Sequence, residues 1–147
     1  MKRNLKLSIN AIIESFDVHT GEILKRTEVH NIVTNDGLDE AVDTGLSTFG
    51  FMAIGTDATG ELITDTELGT EVAREAVAPS NEGVGQRLYD NTFTFGSGES
   101  YTITEYGIFN SATPSGSIML NRLTDAGHMV DIDNGLRVRI TIAIANL

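Results

Sequence analysis

The chain has 147 residues and no cysteine, and its 21 acidic residues against 10 lysines and arginines give a formal net charge of −11. The length predicts a single domain, residues 1–147, with enough chain to build a core without covalent cross-links. The missing cysteines exclude disulfides and thiolate metal sites. The negative charge disfavours nucleic acid and anionic membranes as partners and favours a basic partner surface.

The first 33 residues predict a pair of long strands. Apolar residues alternate with polar ones from Leu5 towards Phe16, a period of two that is typical of a half-buried strand. A turn cluster at 17–21 leads to a second strand at 22–33, so the two strands form a long hairpin with a loop of about five residues. Residues 1–33 are therefore an N-terminal strand pair within the single domain.

The start of the chain is its basic part. A signal peptide also begins with basic residues, but Lys6 and the polar residues after it interrupt the apolar run that such a peptide needs. We interpret this end, or the long hairpin, as an arm between subunits, for which strand addition to a neighbouring sheet edge is one mode of contact. The interface candidates are Lys2, Arg3, Leu5 and Leu7.

One segment has the signals of a helix. Thr34 or Asn35 can cap its start, and Gly45 can end it after roughly three turns. A second helical start is predicted at residue 72, and the chain then becomes extended before Pro79, because proline disfavours helix at the residue that precedes it.

The rest of the chain consists of apolar or alternating runs separated by turn residues, with a flexible loop predicted at 80–85. Further strands are predicted at residues 51–54, 87–95, 101–109, 118–123, 128–132 and 136–144. With the N-terminal pair this gives about eight or nine strands, with turn signals roughly every ten residues. The predicted fold is all-β: an antiparallel, jelly-roll-like β-sandwich with a long N-terminal hairpin and one short helix.

Residues 53–74 predict a strand followed by a glycine-broken acidic loop. Asp57, Glu61 and Asp65 are calcium candidates, since Ca²⁺ is bound by the carboxylate and carbonyl oxygens of flexible loops. Their spacing is not that of an EF-hand. The alternative is a solvated loop in which Asp and Thr side chains cap turns. We therefore predict no metal site and keep these three residues as the calcium candidates.

The sequence contains no recognisable catalytic motif. His19, His30 and His128 are not spaced as metal-ligand pairs, and no histidine lies near a serine in a known catalytic context. The G-x-S-x-G elbow and the phosphate-binding loop are both missing. Two carboxylates would suffice for a glycosidase, but any acidic β-protein offers them. We predict a protein that is not an enzyme, with no catalytic residues and no cofactor.

Four charged residues predict structural ion pairs. Glu71 and Arg74 are three positions apart and would lie side by side on a helical turn. Glu105 and Arg122 occur in strands that are otherwise rich in apolar residues, and charges in such strands are usually paired. We expect Arg74 or Arg122 to pair with Glu105 and to brace the acidic loop against the sheet. Four independent surface charges are the alternative.

Several short motifs follow one another in an order that resembles a known family. They are NIVTNDGL at residues 31–38, AIGT at 53–56, DTELGTEVAR at 65–74, ITEYGIFN at 103–110, GSIMLNR at 116–122 and LRVRITIAI at 136–144. In this order they resemble a family of small structural proteins of tailed bacteriophages, over about residues 30–144. The chain departs from the family pattern at Asp57, where members carry glycine, and at Tyr106, where they carry valine.

The resemblance implies a virion structural protein. Family members are placed as head decoration or tail-associated proteins, and the motifs look structural. Among these places we predict a capsid decoration or cement protein on the exterior of the virion, whose partners are the major capsid protein lattice and further copies of itself, as a dimer or trimer. A tail, collar or fibre-base component is the first alternative. A calcium- or carbohydrate-binding β-sandwich module is the second.

Overall fold

The computed structural model describes residues 5–146 and, within that range, all side chains except those of residues 5, 6, 31, 32, 42, 145 and 146. The described strands are β1 (Leu5–Asp17), β2 (Ile23–Val33), β3 (Phe51–Gly55), β4 (Glu71–Ala76), β5 (Ser80–Gly83), β6 (Gln86–Phe93), β7 (Tyr101–Phe109), β8 (Met119–Val130) and β9 (Asn134–Asn146). One α-helix, α1 (Asn35–Thr44), lies between β2 and β3 and is followed by a turn of 3-10 helix at Leu46–Thr48.

The strands form two antiparallel sheets that share β2. The order of hydrogen-bonded neighbours is β4-β3-β7-β8-β2-β1-β9-β6-β5. Most of β2 pairs with β1, up to the pair of Asn31 with Ile9. Ile32 and Val33 then pair with β8 in the other sheet. Because β2 passes from one sheet into the other, the two sheets face each other across a common interior.

The interior is filled by apolar side chains from both sheets. At every second position β1 and β9 bury an apolar residue, as the two-residue period of a strand requires. These residues are Ile9, Ala11, Ile13, Leu136, Val138, Ile140 and Ile142. Tyr89 is also fully buried, and its hydroxyl donates to the carbonyl of Phe49 at 2.8 Å. Burial raises the pKa of Tyr89 to about 12.

The all-β sandwich, the five-residue loop of the first hairpin and the short helix agree with the sequence predictions. The connectivity is that of successive hairpins. The pairs β1–β2, β3–β4, β5–β6 and β7–β8 each lie within one sheet, and this differs from a jelly roll, in which consecutive strands alternate between sheets.

Three local predictions are wrong. The two strands predicted at 118–123 and 128–132 are parts of one strand, β8 (Met119–Val130), which continues through a bulge. The chain from residue 72 forms part of β4 and not a helical turn, because pairing with β3 overrides its weak helical preference. Residues 80–83 form the edge strand β5 instead of a flexible loop.

Helix α1 is capped at both ends as the sequence predicts. Oγ1 of Thr34 accepts the N–H of Gly37 at 3.0 Å, and the N–H of Gly45 donates to the carbonyl of Ala41 at 3.0 Å. The N–H of Thr34 donates to the carbonyl of Leu120 at 3.0 Å, which ties the start of the helix to β8. A Cβ atom on Gly37 would lie 2.5 Å from Cα of Leu120. Glycine at this position therefore lets α1 lie directly on the strand.

We expect Gly37→Ala to lower the free energy of unfolding by about 1–3 kcal/mol, because the added methyl group forces α1 away from the backbone of β8. At an uncrowded helical position the same change would stabilise the protein, since alanine is the better helix former. Urea denaturation checks this prediction. Gly60→Ala is the control, because a Cβ at Gly60 meets no atom within 4 Å. Equal stability of the two variants would contradict the close approach of helix and strand.

Candidate functional site

Glu105 anchors the acidic loop to the sheet that contains β3 and β7. It lies in β7, and its side chain is 0% exposed. Its carboxylate accepts the N–H of Gly69 at 2.9 Å and the N–H of Thr70 at 2.8 Å. A Cβ on Gly55 would lie 2.3 Å from Oε1 of Glu105, so the glycine in β3 makes room for the carboxylate. The end of the loop is thus fixed to the sheet.

Arg122 of β8 balances the charge of Glu105 and reaches the rest of the loop. Its Nε donates to Oε2 of Glu105 at 3.0 Å. Its Nη1 donates to Oδ2 of Asp65 at 3.3 Å, and its Nη2 donates to the carbonyl of Asp57 at 3.4 Å. Of the two arginines that the sequence offers to Glu105, Arg122 makes the contact. One buried guanidinium therefore holds the beginning and the middle of the loop, while its partner carboxylate holds the end.

Arg74 forms a second brace with Glu71. Nη2 of Arg74 lies 2.7 Å from Oε1 of Glu71, and Nε lies 3.1 Å from Oε2. Both residues lie in β4, where a bulge between them pairs Glu71 with Gly55 and Arg74 with Ala53. Because their partners on β3 are two positions apart, the two side chains share a face without any helical turn. Cζ of Arg74 also lies 3.8 Å from the ring centroid of Phe109.

The calcium candidates do not converge on one point. Oδ1 of Asp57 accepts the N–H of Thr59 at 2.8 Å, and this bond is the main reason that the pKa of Asp57 lies below its usual value. Glu61 accepts the hydroxyl of Thr124 at 2.6 Å, while Asp65 is bound to the arginine of the first brace. Among the described residues no three His, Cys, Asp or Glu side chains are grouped as a metal site would need. Asp57 and Asp65 accept N–H groups of the loop and so cap turns, and Asp65 also forms an ion pair with Arg122.

A second buried polar cluster, which sequence reasoning missed, is centred on Asp125 and His128. Nε2 of His128 lies 3.1 Å from Oδ2 of Asp125, and Oγ1 of Thr27 donates to the same oxygen at 2.8 Å. The hydroxyl of Tyr106 donates to Oδ1 of Asp125 at 3.1 Å. Nδ1 of His128 lies 3.3 Å from Oγ of Ser15. The cluster therefore links β1, β2, β7 and β8 across the two sheets.

A bulge in β8 creates this cluster. Ile103 and Glu105 are separated by one residue in β7, but their partners in β8 are separated by three. Gly127 lies in the bulge with a φ of 101°, and its N–H donates to Oδ1 of Asp125 at 2.9 Å. A glycine within a strand is the local signal that predicts such a bulge. The partners of His128 carry no local signal, since Ser15 is 113 residues away in the sequence.

Ser15, His128 and Asp125 have the residue types of a hydrolase triad, but they are closed to a substrate. Ser15 is 3% exposed and His128 is 0% exposed. The serine faces Nδ1 of the ring, whereas the nucleophile of a serine-protease triad faces Nε2. The arrangement therefore serves the packing of the two sheets. The other histidines, His19 and His30, are exposed at the surface.

Two open clefts are lined by residues that belong to neither polar cluster. One has a volume of about 460 Å³ and is lined by Phe16, Ile23, Asp90 and Arg137, among others, and the second has a volume of about 410 Å³ and is lined by Leu46, Pro79, Tyr89 and Ile144, among others. In the first cleft Nη2 of Arg137 lies 2.7 Å from Oδ2 of Asp90. The two charged side chains that line this cleft therefore form an ion pair with each other.

The interface candidates at the start of the chain are described only in part. Lys2 and Arg3 lie outside the described residues, and so does the side chain of Leu5. Leu7 is half-buried and packs against the main core. The backbone of Leu5 and Leu7 continues the β1–β9 ladder. The described beginning of β1 is thus part of the sandwich.

No family model, curated protein or solved structure matches the chain. In the part of the chain that the structure describes, no helix is both long enough and apolar enough to cross a membrane.

Proposed function

We propose that this chain is a non-enzymatic structural protein of a tailed-bacteriophage particle, and that it is a decoration or cement protein bound to the outer surface of the capsid shell. The assignment to such a particle rests on the ordered motifs over residues 30–144 and on their resemblance to that family. The all-β sandwich is compatible with a protein that acts through its surface.

The braced acidic loop is the observation that carries the structural role. A surface loop of roughly fifteen residues with no secondary structure is usually functional or mobile. Here Arg122 and Glu105, which are buried beneath the loop, bind its beginning, middle and end. Holding a loop in one conformation lowers the entropy cost of binding to it. The bracing therefore favours a loop that is presented to a partner.

We expect the protein to bind its partner through a broad interface and not through a few strong contacts. A standard interface buries about 1,600 Å² in total. Its repetition over a lattice gives avidity, so that no single contact needs to be tight. The net charge of −11 favours a partner surface that is basic. Symmetric positions on a shell would be occupied by a dimer or trimer.

Counting the copies of the chain in purified particles tests the proposal. We expect on the order of hundreds of copies per particle, measured by quantitative mass spectrometry against the major shell protein, because a decoration protein follows the symmetry of the shell. A count of about six or twelve would match the symmetry of a tail ring and support a tail, collar or fibre-base component instead. Particles that lack the chain would contradict both assignments.

A further inference from the structure

Arg87 of β6 differs from the other described arginines in having no carboxylate partner. Six arginines have described side chains, and the other five form ion pairs. Arg87 pairs with no described carboxylate, although the chain contains 21 acidic residues against 10 basic ones. Its Nη1 donates to the side-chain oxygen of Asn81 and to the carbonyl of Gln86. Glu82, in the neighbouring edge strand, accepts the hydroxyl of Ser80 at 2.6 Å instead. Within the described residues the charge of Arg87 is therefore not neutralised.

Arg87 lines the second of the two clefts, which has a volume of about 410 Å³. Four separate parts of the chain enclose this cleft: the turn of 3-10 helix, the link between β4 and β5, the start of β6 with the turn before it, and the end of β9. Leu46, Pro79 and Ile144 give it apolar walls, while Ser47 and Arg87 are polar. Small-molecule sites have this composition, with apolar walls, a few polar groups and volumes of about 300–1,000 Å³.

Tyr89 and Gly85 complete the lining of the second cleft. The hydroxyl of Tyr89 is already used, since it donates to the carbonyl of Phe49 at 2.8 Å. Burial raises the pKa of Tyr89 to about 12, and the positive charge of Arg87 opposes this rise, so the guanidinium lies near the phenol. The N–H of Ile144 donates to the carbonyl of Gly85 at 2.8 Å. The turn before β6 is therefore fixed to the end of β9, and this holds one wall of the cleft in place.

The first cleft also contains an arginine, but that arginine is already paired. Nε and Nη2 of Arg137 donate to the two carboxylate oxygens of Asp90 at 3.0 and 2.7 Å. Such charge-assisted bonds between arginine and a carboxylate are about twice as strong as neutral hydrogen bonds. A ligand carboxylate would have to displace Asp90 in the first cleft, whereas Arg87 could accept it in the second. The charge and the walls of the second cleft together suit an anion with an apolar body.

We propose that the second cleft binds a small carboxylic acid with an aliphatic or aromatic body. The carboxylate accepts N–H groups of Arg87, and the apolar body lies against Leu46, Pro79 and Ile144. A small molecule is favoured over a peptide because four segments surround one cleft, whereas peptides bind along a sheet edge or an extended groove. The lining residues are not those of the braced loop, and the site does not depend on the particle to which the protein belongs.

Titration of the ¹⁵N-labelled protein with hexanoate and with hexanamide tests the proposal. The two probes have the same number of heavy atoms, but only hexanoate is charged at neutral pH. We expect hexanoate to shift the amide signals of residues 46–47, 85–89 and 144, with a dissociation constant on the order of 1 mM. Hexanamide should bind roughly tenfold more weakly, because it lacks the charge-assisted contact. Acetate, which lacks the apolar body, should leave these signals unchanged at about 1 mM.

Two variants assign the contact to the guanidinium. Arg87→Gln should lower the affinity for hexanoate to that for hexanamide and leave hexanamide binding unchanged, which a loss of folding would not do. Ser47→Asp places a carboxylate at an exposed position of the cleft and keeps the hydrogen bonds of Arg87, and it should also weaken hexanoate binding. Arg26→Gln is the control, since it removes a cation from an exposed pair outside the cleft, and it should bind hexanoate as the native protein does.

Three results would overturn the proposal. The first is the absence of shifts at these residues with about 10 mM hexanoate. The second is equal affinity of the native protein for hexanoate and hexanamide, which would mean that the carboxylate is not recognised. The third is hexanoate binding that survives both Arg87→Gln and Ser47→Asp, which would place the anion away from Arg87.

Discussion

Replacing Glu105 with glutamine is expected to lower the free energy of unfolding by about 3–5 kcal/mol, since it leaves the guanidinium of Arg122 buried without its main counter-charge. Glutamine has nearly the same volume and can still accept an N–H from the loop, so the loss arises from the charge and not from a cavity. The guanidinium lies 3.0 Å from the carboxylate, and the two side chains are 4% and 0% exposed. Urea denaturation at neutral pH measures the effect.

An exposed ion pair provides the matched control for this change. Arg26 and Glu28 lie 2.7 Å apart, but their side chains are 48% and 61% exposed. Glu28→Gln is therefore expected to change the free energy of unfolding by less than about 1 kcal/mol. If Glu105→Gln and Glu28→Gln had similar effects, the buried brace would contribute no more than a surface pair, and its role in stability would be refuted.

The double variant Glu105→Leu with Arg122→Met separates the two roles of the brace. Replacing both partners of a buried ion pair with apolar residues is often neutral for stability, so much of the loss should be recovered. The N–H groups of Gly69 and Thr70 would nevertheless lose their acceptor. We therefore expect faster hydrogen exchange of these two amides in the double variant even where global stability returns. Unchanged exchange would show that the loop does not need the carboxylate.

The braces illustrate how far the sequence predicts this molecule. A glutamate and an arginine within apolar strands predict a buried pair, because an unpaired buried charge is too costly to occur. Residue type alone could not decide between Arg74 and Arg122 as the partner of Glu105. The choice depends on register: Arg122 lies on the strand next to Glu105, whereas Arg74 is aligned with Glu71 by a bulge.

The elements that the sequence did not predict depend on contacts between distant segments. Three-residue spacing of Glu71 and Arg74 fits a helical turn and also a bulged strand, and only pairing with β3 selects the strand. Gly127 signals a bulge, but the bulge also brings the carboxylate of Asp125 against His128, whose ring in turn contacts Ser15 of the other sheet. Such a cluster has no periodicity that a sequence pattern could reveal.

Asp125→Asn is the second change expected to have a large effect, and we expect it to lower the free energy of unfolding by about 2–4 kcal/mol at neutral pH. Burial would raise the pKa of Asp125, but the hydrogen bonds from His128 and Thr27 outweigh it and hold the pKa below its ordinary value of 3.8. The folded state therefore favours the charged carboxylate. An asparagine would replace one of its two acceptor oxygens with a donor, which would face the hydroxyl of Thr27 at the Oδ2 position or that of Tyr106 at the Oδ1 position.

The effect of Asp125→Asn should depend on pH in a defined direction. The folded-state pKa of Asp125 is depressed, so its charged carboxylate contributes fully to the free energy of unfolding above the pKa of an aspartate in the unfolded chain, about 3.9. This contribution is lost as the pH falls through the folded-state pKa. The difference in stability between the native protein and the variant should therefore narrow on acidification from about pH 5 to pH 2. Chemical denaturation at a series of pH values measures this difference.

Asp133→Asn is the control for the pH series, since Asp133 pairs with His19 at the surface, where both side chains are more than half exposed. This variant is expected to match the native protein within about 0.5 kcal/mol. A difference between native protein and Asp125→Asn that stayed constant down to low pH would mean that the charge of Asp125 is immaterial. The cluster would then hold the two sheets together by shape and neutral hydrogen bonds alone, and an ion pair with His128 would have no part in it.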